Sequence, residues 1–208
     1  MGPKDRRERE REEVRGRIVD AARELFLSEG YEAVTMRKIA DRIEYSPTAI
    51  YFHFRDKDAL IREVCDTDYR ALAHQLTALA EIKDPFDRLR QIGRAYVEFG
   101  VKYPNHYRLM FMTPHPPMDP DSFSIERGDP QEDSYAFLKN IVSDCIATGR
   151  VRDDHDVDLT SQTMWAGVHG VISLQIAKCN DAWVDWKPLD ARVETMIDAI
   201  IRGVMKES

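Results

Sequence analysis

An all-α fold of about nine helices is predicted for this 208-residue chain, and three observations predict it. Apolar residues recur at helical spacing over most of its length. The breaks between these stretches fall at Pro47, Pro85 and Pro104, and in a segment with five prolines between Pro114 and Pro130. No stretch sustains the alternation of a half-buried strand, and no internal repeat is present. Residues 1–62 are expected to form a small N-terminal module and residues 63–208 one larger helical body.

The chain opens on a highly charged stretch carrying Arg6, Arg7, Arg9, Arg11, Arg15 and Arg17. Two readings of it stand side by side. Basic N-terminal arms reach phosphates or enter a minor groove. Alternatively, Arg6–Glu10, Arg9–Glu13 and Glu13–Arg17 are i,i+4 pairs that support a solvated helical extension. The stretch has no apolar core of its own, which argues against a signal peptide.

Residues 35–57, TMRKIADRIEYSPTAIYFHFRDK, carry the densest local information. Thr35 is a good N-cap, and Met36, Ile39, Ala40 and Ile43 follow at i, i+3, i+4 and i+7 as one inward stripe. Arg37, Lys38, Asp41 and Arg42 are left outside. Pro47 disfavours helical geometry at Ser46, yet Ser as N-cap and Pro at the first helical position make a strong new start, so Glu44 and Tyr45 occupy a turn. In the second short helix Ile50 and Phe54 anchor the core. Pro47, Thr48, Ala49 and Tyr51 remain near the exposed N-terminal end, the end that meets base edges in a DNA-reading helix-turn-helix. Lys57 follows an expected Asp56 N-cap and sits where a helix dipole disfavours a cation by roughly 0.3–1 kcal/mol. A bound phosphate reverses that preference; simple solvation of Lys57 is the other reading.

Beyond residue 57 the pattern is helix after helix. Leu60, Ile61, Val64, Ala71, Leu72, Leu76 and Leu79 keep helical spacing in a long segment that ends near Ala80. Further helices are expected over 84–102, 104–112, 132–148, 159–178 and 189–206, with a long proline-rich loop between the second and third of these segments. Within 159–178, Gly167 and Gly170 each cost about 1 kcal/mol against Ala in a helix interior, a cost that close helix approach usually offsets.

Composition excludes several classes. An apolar content of 43% is enough for ordinary cores, and no run approaches the roughly 18 apolar residues of a membrane span. Cys65, Cys145 and Cys179 are odd in number and widely separated, which suits a reducing cytoplasm and buried small hydrophobes rather than a disulfide framework. The net charge of −7 is unevenly spread. Residues 1–62 hold 14 Lys and Arg against 13 Asp and Glu, and residues 63–208 hold 16 against 24. Acid therefore sits in the body, where charges beyond the ~8 Å screening length contribute little repulsion to DNA at the other end.

Other chemistries find little support. Asp153, Asp154, His155, Asp156 and Asp158 offer metal-ligating atoms but lack the glycine and terminal glutamate of an EF-hand loop, so Asp158 is expected to cap a helix and no metal or other cofactor is assigned. No HExxH, paired CxxC, phosphate-binding glycine loop or GxSxG elbow is present, and no catalytic residue is assigned. Tyr96, Phe99, Tyr103, Tyr107, Met110, Phe111 and Met112, with Phe137, Ile141 and Cys145, could line an apolar cavity under a proline-rich lid, although such stripes are more often plain core. Trp165 and His169 share a helical face; His169 is read either as a packing and hydrogen-bonding group or as a ligand-binding or pH-sensing one. A helical small-molecule-binding protein or enzyme with an incidental N-terminal bundle is the alternative to a DNA-binding regulator.

The block Pro47, Thr48, Ala49, Ile50, Tyr51, Phe52, His53, Phe54, Arg55 and Lys57 resembles the N-terminal domain of the TetR family of bacterial transcriptional regulators. Ile18, Ala21, Leu25, Phe26, Gly30, Tyr31, Thr35, Ile39 and Ala40 fit the same pattern upstream, so the resemblance covers about 50 residues. Thr48, where many members carry a small residue, and Tyr45 in the turn are departures that concern the operator sequence. The W-x-x-x-H-G pattern of Trp165, His169 and Gly170 resembles a TetR subgroup named for those residues. The resemblance implies a three-helix DNA-binding domain joined by a long helix to a ligand-binding and dimerisation domain. It further implies a homodimer formed through the last two helices, a palindromic double-stranded operator, a small-molecule effector and, usually, repression. On that basis Arg37, Pro47, Thr48 and Ala49 are the expected base-edge readers, and Thr35, Tyr51, His53 and Lys57 the expected phosphate contacts. The expected ligand-binding set is Tyr96, Phe99, Tyr103, Tyr107, Met110, Phe111, Phe137, Ile141, Trp165 and His169.

Overall fold

A computed structural model describes residues 3–117, 119, 123–152 and 154–206. Among the described residues there are nine helices and no strand, apart from one isolated antiparallel bridge between Val151 and Met205. The helices are α1 (Pro3–Glu29), α2 (Met36–Arg42), α3 (Pro47–His53), α4 (Lys57–Thr77), α5 (Pro85–Lys102), α6 (Pro104–Phe111), α7 (Ser134–Ala147), α8 (Val157–Lys178) and α9 (Leu189–Val204).

Local chemistry sets most boundaries. Thr35, Ser46, Asp84, Asp133 and Asp156 cap α2, α3, α5, α7 and α8 by accepting backbone N–H bonds, and proline opens α3 and α5. Asp56 does the same for α4 by accepting from the Ala59 N–H at 2.7 Å. Gly30, at φ +80°, closes α1 in the left-handed conformation that lets its N–H return to the Phe26 carbonyl at 3.1 Å. Three expectations need correction. Asp156, not Asp158, caps α8; Asp158 lies in the first turn and pairs with Lys139 at 2.7 Å. The fourth helix stops at Thr77 rather than near Ala80, because Leu79, Ala80 and Ile82 donate to carbonyls three residues back and tighten the chain into turns. Of the two glycines in α8, only Gly167 marks a close approach within the chain: a Cβ there would stand 2.4 Å from Ile200 Cδ1, whereas Gly170 meets nothing within 4 Å.

Two compact units result. The first comprises Met1–Asp68 and Asn105–Ser124, so α6 belongs to it. Its core is built from Ile18, Ala22, Phe26, Ile39, Ile50, Leu60 and Val64, all at essentially zero exposure. A buried charge network completes it. The Arg23 guanidinium donates to both oxygens of Asp68 at 3.1 and 2.7 Å and to Asp20 at 2.7 Å, and His106 Nδ1 lies 2.9 Å from Asp68 Oδ1. Breaking such a pair by removing one partner strands the other charge, at a cost of about 3–5 kcal/mol.

The second unit comprises Tyr69–Pro104 and Ile125–Ser208. Helix α5 packs on α7, α8 and α9 through Phe86, Leu89, Ile92, Val97 and Phe99, and α8 and α9 form an antiparallel pair. Gly93 lets α9 come near, since a Cβ there would sit 2.9 Å from Ile197 Cδ1. Arg94 grips Glu194 with two bonds of 2.6 Å, and Arg90 pairs with Asp198, so the α5–α9 seam is apolar inside and ionic at its edge.

Candidate nucleic-acid interface

The reading element is short and held by few apolar anchors. Helix α3 has seven residues, of which only Ile50 is buried, with Phe54 just past its end also buried. Everything else on it is left to solvent or to polar contacts: Pro47 and Thr48 are exposed, Ala49 is half-buried and Tyr51 is 55% exposed. The preceding turn contains Glu44 at φ +62°, the left-handed region that ordinary side chains avoid. That residue reverses the chain between α2 and α3, and Tyr45 N–H then returns to the Ala40 carbonyl at 3.0 Å.

The proposed contact residues fall into two groups. Arg37, with its side chain 82% exposed and only a 4.0 Å approach to Asp41, presents its guanidinium to solvent. Thr35 uses its hydroxyl to accept the Lys38 N–H at 3.2 Å, and remains exposed. Lys57 is half-buried: its Nζ donates to the Tyr31 carbonyl at 2.8 Å and stands 4.1 Å from the Tyr31 ring centre. The Tyr31 hydroxyl in turn donates to Asp58, which fixes this corner at the start of α4. His53 is half-buried, with Nδ1 sealed from solvent and lacking a hydrogen-bond partner. Burial, then the nearby charges of Arg11 and Arg15, hold its pKa below the ordinary histidine value, so the neutral ring is favoured.

The N-terminal arginines are helical from the start, as part of α1. Arg6 pairs with Glu10 at 2.7 Å, as spacing predicts. The other two predicted pairs give way to different partners: Arg9 donates to the Asp5 carbonyl at 3.3 Å, and Arg17 reaches the Ile43 carbonyl at 3.3 Å and the Tyr45 hydroxyl at 3.4 Å. Arg15 donates to the His53 carbonyl and pairs with Glu63, while Arg11 lies 5.4 Å from the ring of Phe52, itself 70% exposed. The partners of Arg11, Arg15 and Arg17 lie 26 to 48 residues away, beyond what helical spacing can reveal.

The aromatic residues divide between the units. Tyr107 and Met110 are buried on α6 in the first, with the rings of Tyr107 and Phe111 4.9 Å apart. In the second, Tyr96, Phe99, Phe137 and Ile141 are buried, and Phe99 lies 5.4 Å from Tyr103. Trp165 Nε1 donates to the Tyr96 hydroxyl at 2.9 Å. Tyr135, which sequence spacing does not single out, adds its ring 6.0 Å from Trp165, with a buried hydroxyl that lacks a partner. His169, one turn along, has its pKa lowered by burial. Among the described residues no group of three or more His, Cys, Asp or Glu is arranged to hold a metal, and Asp153 of the acidic run lies outside them. No described helix is long and apolar enough to cross a membrane. Burial pushes the Cys65 and Cys145 thiols up to about 12, which makes them poor nucleophiles.

A capped helix, a left-handed turn and a second short helix with an exposed N-terminal end define a helix-turn-helix DNA-binding module on an all-helical protein. Residues 18–64 match the family model described as "Bacterial regulatory proteins, tetR family", and residues 89–200 match "Tetracyclin repressor-like, C-terminal domain". The chain belongs to the TetR family of bacterial DNA-binding transcriptional regulators.

Individual relatives agree. The HTH-type transcriptional regulator UidR of Escherichia coli (strain K12) is 34% identical over 98 residues, which are 47% of this chain and 44% of UidR. The HTH-type transcriptional activator FasR of Mycolicibacterium smegmatis is 35% identical over 102 residues, 49% of this chain and 47% of FasR. The chain thus spans about half the length of the curated relatives it matches. In structure, the transcriptional regulator FadR of Bacillus subtilis in complex with stearoyl-CoA superposes with a TM-score of 0.72 at 16% identity, covering 90% of this chain and 98% of that one.

Proposed function

We propose that the protein is a homodimeric repressor that a small apolar or aromatic ligand releases from a palindromic operator, acting in the cytoplasm. Residues 1–62 serve DNA, and residues 63–208 serve ligand and partner. One observation carries the DNA assignment: α3 buries a single side chain and leaves Pro47, Thr48 and Tyr51 exposed, with Arg37 equally open on α2. Arg37, Pro47, Thr48 and Ala49 then read base edges, while Thr35, Tyr51, His53 and Lys57 address phosphates.

Dimerisation is supported by α8, which is apolar on both faces. Met164 and Ile172 are buried within the chain, yet Leu159, Trp165 and Leu174 are exposed at 57%, 38% and 47%. A second copy of the α8–α9 pair would cover that surface, in keeping with the subgroup of the Trp165, His169 and Gly170 pattern. The effector role goes to Tyr96, Phe99, Tyr103, Phe137, Ile141, Trp165 and His169. Helix α4 is the lever by which a bound ligand shifts the half-site separation away from the ~34–36 Å spacing of operator half-sites. That FadR was solved with stearoyl-CoA is a fold-level reason to include long-chain acyl compounds in a ligand screen.

The test is selection of duplexes from a randomised library by the wild type, followed by affinity measurements on the enriched sequence. A palindrome is expected, together with roughly 1–3 kcal/mol lost in Arg37→Ala with relaxed preference at one position. Equal affinity of wild type, Arg37→Ala and Tyr51→Ala would sink the reading. Thermal-shift hits from a metabolite library should then release the enriched duplex, since a ligand of the native fold raises its apparent stability.

A further inference from the structure

A seven-residue helix with one buried side chain is free to rock about that anchor unless its ends are held. The turn that leads into α3 and the last residue of α3 are held from α1. At the entry, Arg17 Nη2 donates at 3.3 Å to the carbonyl of Ile43, the C-cap of α2, and Nη1 donates at 3.4 Å to the Tyr45 hydroxyl, with the guanidinium 5.2 Å from the Tyr45 ring centre. These contacts bracket Glu44, the left-handed residue of the turn. At the exit, Arg15 Nη1 donates at 3.3 Å to the carbonyl of His53, the last residue of α3, and its guanidinium lies 4.4 Å from the Phe54 ring centre. Glu63 on α4 holds Arg15 in place through contacts of 2.9 and 3.3 Å. Carbonyls at a helix C-terminus lack intrahelical donors and carry the negative end of the dipole, so a guanidinium is the group that best satisfies them. The two arginines stand on a helix fixed in the core by Ile18, Val19 and Ala22, so the restraint has a firm base.

We propose that Arg15 and Arg17 are positioning residues that set the angle of α3, and thereby sequence discrimination, rather than members of a basic arm that grips phosphates. The inference rests on the helix-turn-helix reading given above. It separates from a charge effect because the two act in different currencies. A phosphate contact weakens all DNA equally and flattens the salt dependence by about one unit when removed. A positioning group lowers affinity for the selected duplex only.

The experiment measures affinity and salt slope for the duplex enriched by the wild type and for a random duplex of the same length. Arg17→Ala and Arg15→Ala should each lose about tenfold on the enriched duplex, with the random duplex and the salt slope unchanged. Arg17→Gln, which keeps a donor but no charge, should recover part of the loss. Glu63→Ala is decisive if either arginine variant fails to fold. It removes a negative charge, so a purely electrostatic role predicts tighter binding to both duplexes, whereas the loss of Arg15's anchor predicts weaker binding to the enriched duplex alone. Parallel losses on both duplexes with a flatter salt slope, or tighter binding by Glu63→Ala, overturn the proposal. A wild type that enriches no duplex overturns the DNA reading and this inference with it.

Discussion

Trp165 and Tyr96 are joined by a 2.9 Å hydrogen bond from the indole N–H to the phenol oxygen, which ties α8 to α5. A second tyrosine borders the same indole, Tyr135, with its ring centre 6.0 Å away. The two hydroxyls differ in one respect that decides their energetics. That of Tyr96 accepts the indole proton, whereas that of Tyr135 is buried with no hydrogen-bond partner.

Tyr96→Phe should therefore destabilise the protein. The indole N–H loses its acceptor in a part-buried position, at a cost of about 1 kcal/mol. Chemical denaturation would show it as a lower midpoint with an unchanged slope, and an unchanged midpoint would mean the bond contributes nothing.

Tyr135→Phe should do the opposite. Deleting a hydroxyl that has no partner removes a desolvation penalty, so stability should hold or rise by up to about 1 kcal/mol. A clear loss of stability in the same denaturation experiment would show that the hydroxyl is satisfied in solution.

Glu44→Gly tests the turn of the reading element. A non-glycine residue in the left-handed region costs roughly 1–2 kcal/mol, partly offset in the glycine variant by the greater entropy of its unfolded chain. A gain of about 0.5–1 kcal/mol is expected, measured by thermal or chemical unfolding. Glu44→Val should lose stability, because a β-branched side chain tolerates that backbone worst.

Most of this fold is legible in the sequence, because its helices begin with side chains that cap them. Thr35, Ser46 and Asp84 announce α2, α3 and α5 by type and position alone, and Ile39, Ala40 and Ile50 declare the inward face by spacing. What escapes is long-range. Glu13 and Arg17 stand four apart on a helix and look like a pair, yet Arg17 bonds to the turn of the reading element. Lys57 reads from the sequence as a solvated or phosphate-seeking cation, and the Tyr31 carbonyl and ring that hold its Nζ lie 26 residues away, outside the reach of local spacing. Asp156 and Asp158 are both suitable caps by type; Asp156 takes the role, while Asp158 pairs with Lys139 of the preceding helix, a partner the local sequence does not reveal. Tyr135 is inconspicuous because its significance lies in what its hydroxyl lacks.

Gly167→Ala and Gly170→Ala should separate packing within the chain from packing between copies. A Cβ at Gly167 would stand 2.4 Å from Ile200 Cδ1 and 2.5 Å from Met196 Sδ, so the ends of two flexible side chains must shift; overpacking of about 1–3 kcal/mol is set against a helix-propensity gain of about 1 kcal/mol, for a net loss of up to about 2 kcal/mol. At Gly170 the same Cβ meets nothing within 4 Å, and helix propensity alone predicts a gain of about 1 kcal/mol. If α8 pairs with a second copy at this face, Gly170→Ala should instead weaken self-association, which sedimentation over a concentration series would detect. A variant that is both more stable and unchanged in association removes Gly170 from the proposed dimer contact.

Acidification should weaken the fold in two separate windows. The pKa of His169 is lowered by burial, so the folded chain resists a proton that the unfolded chain accepts near the ordinary value of 6.5. Its contribution is intact above that value and is lost as pH falls through the lower, folded value. His53 acts in the same direction, through burial and the charges of Arg11 and Arg15. Glu194 acts lower on the scale: its hydrogen bond to Arg94 depresses its pKa, so its contribution is present above the ordinary value of 4.5 and is lost as pH falls below it. The melting temperature should therefore drop as pH falls below about 6.5, and His169→Gln should show a smaller drop over that interval than the wild type. Glu194→Gln should leave that interval unchanged and alter only the acid limb below it. Identical drops in wild type and His169→Gln would mean that His169 takes up its proton as readily in the fold as in the unfolded chain.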